Sequence, residues 1–388
     1  MIRALWLSRV GRVLVVSGII GMGSVALSPI AAAAEQDCVA ASALVKQGLD
    51  RADGSDAERD LYTQAIAKCP GMGEAHYSLG VALEKFGKLD EAIAAIEKAI
   101  DVSDQPGFRV ALGNLLVGKN KLDDARHEFD RALAAQPKNA AASQGVALVL
   151  ERQGKSPEAI AVLERAREQD PTNALTFYNL GALYQKQGQE ELALTAFERA
   201  TSLNPKDPDA HLYYGLLLER LGRLDDAARS MEKAAALNLT DPRMHEALGM
   251  IHQRIGDLDK AELALRKAVT LAPEATSPQL NLAVVLISKK QEGLAEEILK
   301  RAVERDNRNS ELFTVLGWAE LQLGKFKDAE EHLRRAVELD GKNAAAHNNL
   351  GVLFSRQGKK DEARREFNTA LSLNSALDSA RRNLSELE

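Results

Sequence analysis

Between residues 73 and 377 the chain repeats itself nine times, at a period of 34 residues with a first copy of 33. A copy that short cannot bury an apolar face by itself, so neighbouring copies must stack and share one core. Take residues 174–207 as the reference copy and count its positions from 1. Position 20 is alanine in all nine copies, from Ala92 to Ala363, and so is position 27, from Ala99 to Ala370. Position 8 holds only Gly or Ala, as in Gly80, Gly181 and Ala283. Columns of small side chains let two helices approach closely.

The remaining columns mark where helices start and stop. Position 15 is Gly in seven copies, Asn120 in one and Lys290 in one. Gly and Asn tolerate the left-handed conformation that closes a helix C-terminus. Acidic residues follow at positions 18 and 19, as in Asp90 with Glu91 and Asp225 with Asp226, where the dipole of a starting helix favours negative charge. Pro137, Pro171, Pro205 and Pro273 at position 32 end the second helix. The unit reads helix, tight turn, helix, turn, and the expected fold is all-α.

These residues carry a family resemblance. Phe177, Leu180, Gly181, Tyr184, Ala193, Phe197, Ala200 and Pro205 of the reference copy resemble the tetratricopeptide repeat. The resemblance covers copies 73–105, 106–139, 140–173, 174–207, 208–241, 242–275, 276–309, 310–343 and 344–377. It implies a right-handed superhelical solenoid of antiparallel helix pairs, with first helices lining a concave groove at positions 2, 5, 9, 12 and 13. It also implies a scaffold or adaptor role rather than chemistry in the repeats.

Residues 1–34 are a different kind of sequence. Arg3, Arg9 and Arg12 precede an apolar run of 15 residues, 13–27, and four alanines ending at Ala34 precede Glu35. A basic head, a short apolar middle and a small-residue exit make the pattern of a secretory signal peptide, with cleavage expected between Ala34 and Glu35. The alternative is an uncleaved anchor. Against it, a spanning helix needs roughly 20 apolar residues, and this run is interrupted by Gly18, Gly21 and Gly23. Cleavage removes three positive charges and no negative ones, taking the net charge from −6 to −9. Export points to the periplasm of a Gram-negative-type cell.

Cys38 and Cys69 are the two cysteines. Tyr62, Ala65 and Pro70 align with Phe197, Ala200 and Pro205, so a degenerate unit over 35–72 precedes the nine. Its helices are expected over about residues 39–52 and 56–68, with Lys46 where a small packing residue belongs. Cys38 opens the first helix and Cys69 closes the second. Those ends are neighbours in an antiparallel hairpin, so a disulfide is expected in an oxidising compartment, with two free buried thiols as the alternative. At the far end, residues 378–388 begin another first helix, a cap with Ala380, Leu384 and Leu387 on its apolar face. No stretch after residue 73 reads as a linker, so one continuous domain is expected, with an irregular joint at residues 101–108.

No glycine-rich phosphate loop stands outside the turn and packing positions, and no catalytic Ser/His/Asp set or carboxylate pair interrupts the repeats. The chain is expected to be no enzyme and to need no cofactor. Four of the seven histidines, His76, His211, His245 and His347, fall at position 4 and read as packing residues. His211 and His245 sit one helix pair apart, on the order of 10 Å, too far to share a zinc ion, so no metal is expected. Net acidity without a separate basic region argues against nucleic acid. Scarce aromatic residues argue against a glycan platform.

Two features of the groove remain. Six of nine residues at position 13 are basic: Lys85, Arg152, Lys186, Arg220, Arg254 and Arg356. They read as a track for an acidic segment or, as ordinary surface pairs, as neutralised by Glu84, Glu151 and Glu219 at position 12. In copies seven and eight, Leu280, Val284, Ile287, Trp318 and Leu321 form an apolar patch, where other copies place charged or polar residues at several of these positions. A Trp at a groove position is typical of an interaction anchor, and packing against the neighbouring copy is the plainer reading. The expectation is an exported scaffold that binds a peptide or helix of another protein, away from the membrane after signal cleavage. The alternative is a membrane-tethered spacer whose repeats self-associate.

Overall fold

The computed structural model describes residues 29–387, and helices are the only regular elements there. The described residues group into two compact units, the first ending at Leu203 and the second beginning at Asn204. The first unit holds α1 (Pro29–Arg51), α2 (Asp56–Lys68), α3 (Gly73–Lys85), α4 (Leu89–Val102), α5 (Pro106–Gly118), α6 (Leu122–Ala135), α7 (Ala140–Arg152), α8 (Ser156–Gln169), α9 (Ala174–Lys186) and α10 (Glu190–Leu203). The second holds α11 (Pro208–Arg220), α12 (Leu224–Leu237), α13 (Pro242–Ile255), α14 (Leu258–Leu271), α15 (Thr276–Ser288), α16 (Glu292–Arg305), α17 (Ser310–Gln322), α18 (Phe326–Leu339), α19 (Ala344–Arg356), α20 (Lys360–Leu373) and α21 (Asp378–Ser385).

Within each unit, every odd-numbered helix packs on the even-numbered helix that follows. Successive odd-numbered helices also touch one another, whereas successive even-numbered ones make no comparable contact among the described residues. The odd-numbered helices therefore form the inner layer of each stack and the even-numbered ones the outer.

The small-residue columns set the spacing within each pair. A Cβ on Gly181 would meet the Phe197 ring at 2.8 Å, and one on Gly351 would meet Phe367 at 2.5 Å. In those two copies only a bare backbone fits against the phenylalanine at position 24. The turn column behaves as one: all nine position-15 residues take positive φ, including Asn120 at 60° and Lys290 at 61°. Register, rather than residue identity, imposes that conformation.

Position 4 grips the turn before its own helix. The Nε2 atoms of His76, His211 and His245 lie 3.0, 3.1 and 3.3 Å from the main-chain oxygens of Pro70, Pro205 and Leu239. Gln279 Nε2 donates likewise to Pro273 at 2.6 Å. Burial holds the His211 imidazole below its ordinary pKa, which keeps it a neutral donor. At the irregular joint, Arg109 takes this position. It is buried, donates to both oxygens of Asp104 at 2.5 and 2.6 Å, and reaches Glu128 at 2.6 Å. A planar guanidinium suits that two-pronged grip.

The ends differ in part from expectation. The leader falls outside the described residues up to position 28, and α1 begins at Pro29 rather than near residue 39. Lys46 is exposed, and Gly48 supplies the small contact instead, since a Cβ there would sit 2.4 Å from Tyr62. Cys38 and Cys69 are disulfide-bonded with Cα atoms 4.9 Å apart. At the other end Ala380 and Leu387 are buried beneath the cap. No described helix is long and apolar enough to cross a membrane.

Candidate partner-binding groove

Position 9 faces the inner side of the odd-numbered helices. In the second unit it reads Leu216, Met250, Val284, Trp318 and Val352, one apolar residue per repeat. Met250 is 39% exposed, and the others are half-buried. This stripe extends the patch read from copies seven and eight by a column. Its signal was the period itself.

Trp318 separates two clefts along the stripe. The smaller, of about 240 Å³, is bounded by Val284, Ile287 and Val315 on one side and Ala345 and Asn349 on the other. The larger, of about 550 Å³, lies beyond Trp318 and is polar, with Asn348, Asn349, Arg356, Asn383 and Glu386 on its walls. Trp318 is half-buried against the core cluster that contains Leu350 and Leu353. An indole offers a broad apolar surface with one donor at its edge, suited to a boundary between dry and wet subsites. Val315, Ala345, Asn349 and Val352 were not singled out from sequence, because they contribute only once two neighbouring inner helices are juxtaposed.

The structure places four of the five patch residues at the surface and corrects the fifth. Leu280, Val284, Ile287 and Trp318 are half-buried, but Leu321 has no exposed surface. Leu321 belongs to the core cluster with Leu333, Leu350 and Leu353, so position 12 of this copy turns into the seam with the next helix pair. The same position carries the half-buried Ile287 one copy earlier.

The basic column at position 13 joins repeats. Arg152 Nη1 donates to the Val117 main-chain oxygen at 2.9 Å, and Arg254 Nη1 donates to the Glu219 main chain at 3.2 Å and its carboxylate at 2.6 Å. Arg356 donates to the Leu321 main chain at 3.1 Å and to Gln322 at 3.2 Å. Lys186 pairs with Glu151, and Lys85 lies 3.6 Å from Glu58. Arg220 is exposed at the end of α11. Arg152, Lys186, Arg254 and Arg356 reach back to position 12 of the preceding copy, so four of the six are engaged in stacking rather than laid open as a track. Among the described residues no cluster of His, Cys, Asp and Glu has the arrangement of a metal site.

Comparison with known proteins agrees with this architecture. The family model of the cilia and flagella-associated protein 70 C-terminal domain matches residues 113–315, and a tetratricopeptide repeat model matches residues 39–106 and 314–379. No curated protein matches the chain. Among solved structures, the anaphase-promoting-complex hetero-tetramer Cut9–Hcn1 is similar over 91% of this chain and 87% of its own, at 14% identity and a TM-score of 0.50. YrrB, described as a TPR protein with an unusual peptide-binding site, is similar over 49% of this chain and 98% of its own, at 23% identity and a TM-score of 0.39. PilF of Pseudomonas aeruginosa is similar over 55% and 97%, at 18% identity and a TM-score of 0.46. With the repeat models covering its length from residue 39 to residue 379 and the helix pairs stacked as described, the chain belongs to the tetratricopeptide repeat family.

Proposed function

We propose that this chain is an exported, non-catalytic scaffold that captures a peptide or helix of a partner protein along the inner face of its second unit, in service of a cell-envelope complex. The supporting observation is Trp318, standing between an apolar cleft and a polar one on an otherwise apolar stripe. The smaller cleft suits a single apolar side chain, and the larger offers amide groups and a guanidinium to the segment that continues past it. Export rests on the leader ending at Ala34, and the Cys38–Cys69 disulfide suits an oxidising compartment.

The experiment compares the proteins that co-purify from the native host with the wild type, with Trp318→Ala and with Val284→Asp. Loss of the same partner from both variants, with helicity unchanged, supports the reading. Retention of every partner by both rejects it.

A further inference from the structure

Position 11 of the inner helices is a core position, filled by Leu83, Leu116, Leu150, Leu218 and Leu286 in five copies, by Phe354 in the last, by Tyr184 in copy four and by the buried His252 in copy six. In copy eight it is Glu320. This carboxylate has no exposed surface. Oε2 lies 2.7 Å from His332 Nδ1 on α18, and Oε1 has no hydrogen-bond partner. A buried carboxylate with one oxygen unsatisfied is tolerated only while a positive charge offsets it. Glu320 stands two residues after Trp318, on the side of α17 turned away from the clefts, so the pair ties α17 to α18 directly behind the Trp318 wall.

We propose that the proton on His332 governs how firmly α17 is seated against α18, and thereby the state of the Trp318 clefts, so that the groove is firm in acid and loosens in base. Loss of that proton leaves the buried Glu320 carboxylate without its hydrogen-bonded cation. The helix then relaxes until water reaches the carboxylate. This device rests on the reading of the Trp318 clefts as the partner site only in so far as it regulates that site.

The surrounding charges leave the imidazole as the group that switches. On α16, Glu296 is held by Lys300 and by Lys325 of the α17–α18 turn, and Lys300 also feels Glu320. On α18, Asp328 and Glu331 face His332 and favour its charged form. On α19, His347 is engaged by Glu366, and Arg356 by Leu321 and Gln322. Helix α15 carries no ionisable side chain. The hydrogen bond that His332 donates to the Glu320 carboxylate raises the His332 pKa above its ordinary value, against the opposing effect of burial. A raised histidine contributes stability that is complete below its unfolded value near ~6.5 and is lost as pH rises through the folded value.

The test uses the full chain with Trp6→Phe, which leaves Trp318 as the one tryptophan. Acrylamide quenching of Trp318 is followed from pH 5.5 to 9.5 in this background, with Glu320→Gln and with Glu320→Leu, the latter introducing the residue found in five other copies. The expected result is a quenching constant that rises with pH through one midpoint above ~6.5 in the parent and stays flat in both variants. A flat parent, or variants that titrate as the parent does, overturns the proposal. No partner enters this measurement, so its failure leaves the reading of the groove intact, whereas retention of every partner by both Trp318→Ala and Val284→Asp rejects that reading and leaves the switch standing.

Discussion

Arg356 donates to the main-chain oxygen of Leu321, one repeat earlier, at 3.1 Å. The contact crosses the seam between α17 and α19 and caps a helix C-terminus whose last carbonyls have no partner within the helix. Arg254 does the same for Glu219. A column that reads in sequence as a stripe of positive charge is, in the folded chain, a row of staples.

Replacing Arg356 by Ala is therefore expected to destabilise the second unit by about 1 kcal/mol, the partial exposure of the side chain keeping the loss modest. Arg356→Lys should recover only part of it, because an ammonium cannot span both acceptors as a planar fork does. Urea unfolding followed by circular dichroism reads the difference. Equal stability of all three chains would show that the seam holds without the arginine.

Lys290 occupies the left-handed turn position at φ 61°, where seven of the nine copies use glycine. A side chain there carries backbone strain of about 1 kcal/mol or more, which glycine lacks. Lys290→Gly should raise the unfolding midpoint. Gly188→Ala should lower it, and with nothing within 4 Å of the added Cβ, the change would be one of backbone conformation alone.

The Cys38–Cys69 bond closes a loop with a sequence separation of 31. On the chain-entropy account a loop of this size stabilises its folded segment by roughly 3 kcal/mol. Reduction should raise amide exchange throughout α1 and α2 while leaving α17 to α19 unchanged. A uniform rise along the chain would mean that the disulfide supports more than the end repeat.

The grip of Arg109 on Asp104 has a pH signature. The hydrogen bond from Arg109 holds the Asp104 carboxyl below the ordinary carboxylate value. Its stabilisation is thus present above about pH 4 and lost as pH falls through the lowered value. Arg109→Met should destabilise the first unit by about 2 kcal/mol at pH 7, less than a fully buried pair would lose because Asp104 is half exposed. The gap between the two chains should narrow during acid titration. A constant gap would assign the loss to packing.

Much of this was legible in the chain beforehand. The period placed every turn of the nine copies, including those at Asn120 and Lys290, because sequence register carries more information than any one residue. The cysteines could be paired because a helix hairpin brings its ends together. Other features escaped for identifiable reasons. Leu321 and Ile287 share position 12, which lies on the border between groove and seam, and only the neighbouring helix decides which side it joins. Lys46 stands at the expected packing position, whereas Gly48 fills it, since Gly48 precedes Tyr62 by 14 residues where Gly181 precedes Phe197 by 16, a register shift of two. The position-4 histidines read as packing residues, and the hold of His76, His211 and His245 on the preceding turn depends on a carbonyl direction that sequence does not display. Glu320 went unremarked because charge at a core position looks like surface until its neighbours cover it.

The central claim is that the inner face around Trp318 receives a partner segment. The most direct measurement places a photo-crosslinking amino acid singly at Val284, at Val352 and, on the outer layer, at Leu263, which is 72% exposed, and illuminates living cells of the native host. The account predicts one common protein adduct from Val284 and Val352 and none from Leu263. Adducts from Leu263 with none from the other two would contradict it, and would move the interaction to the outer face of the repeats.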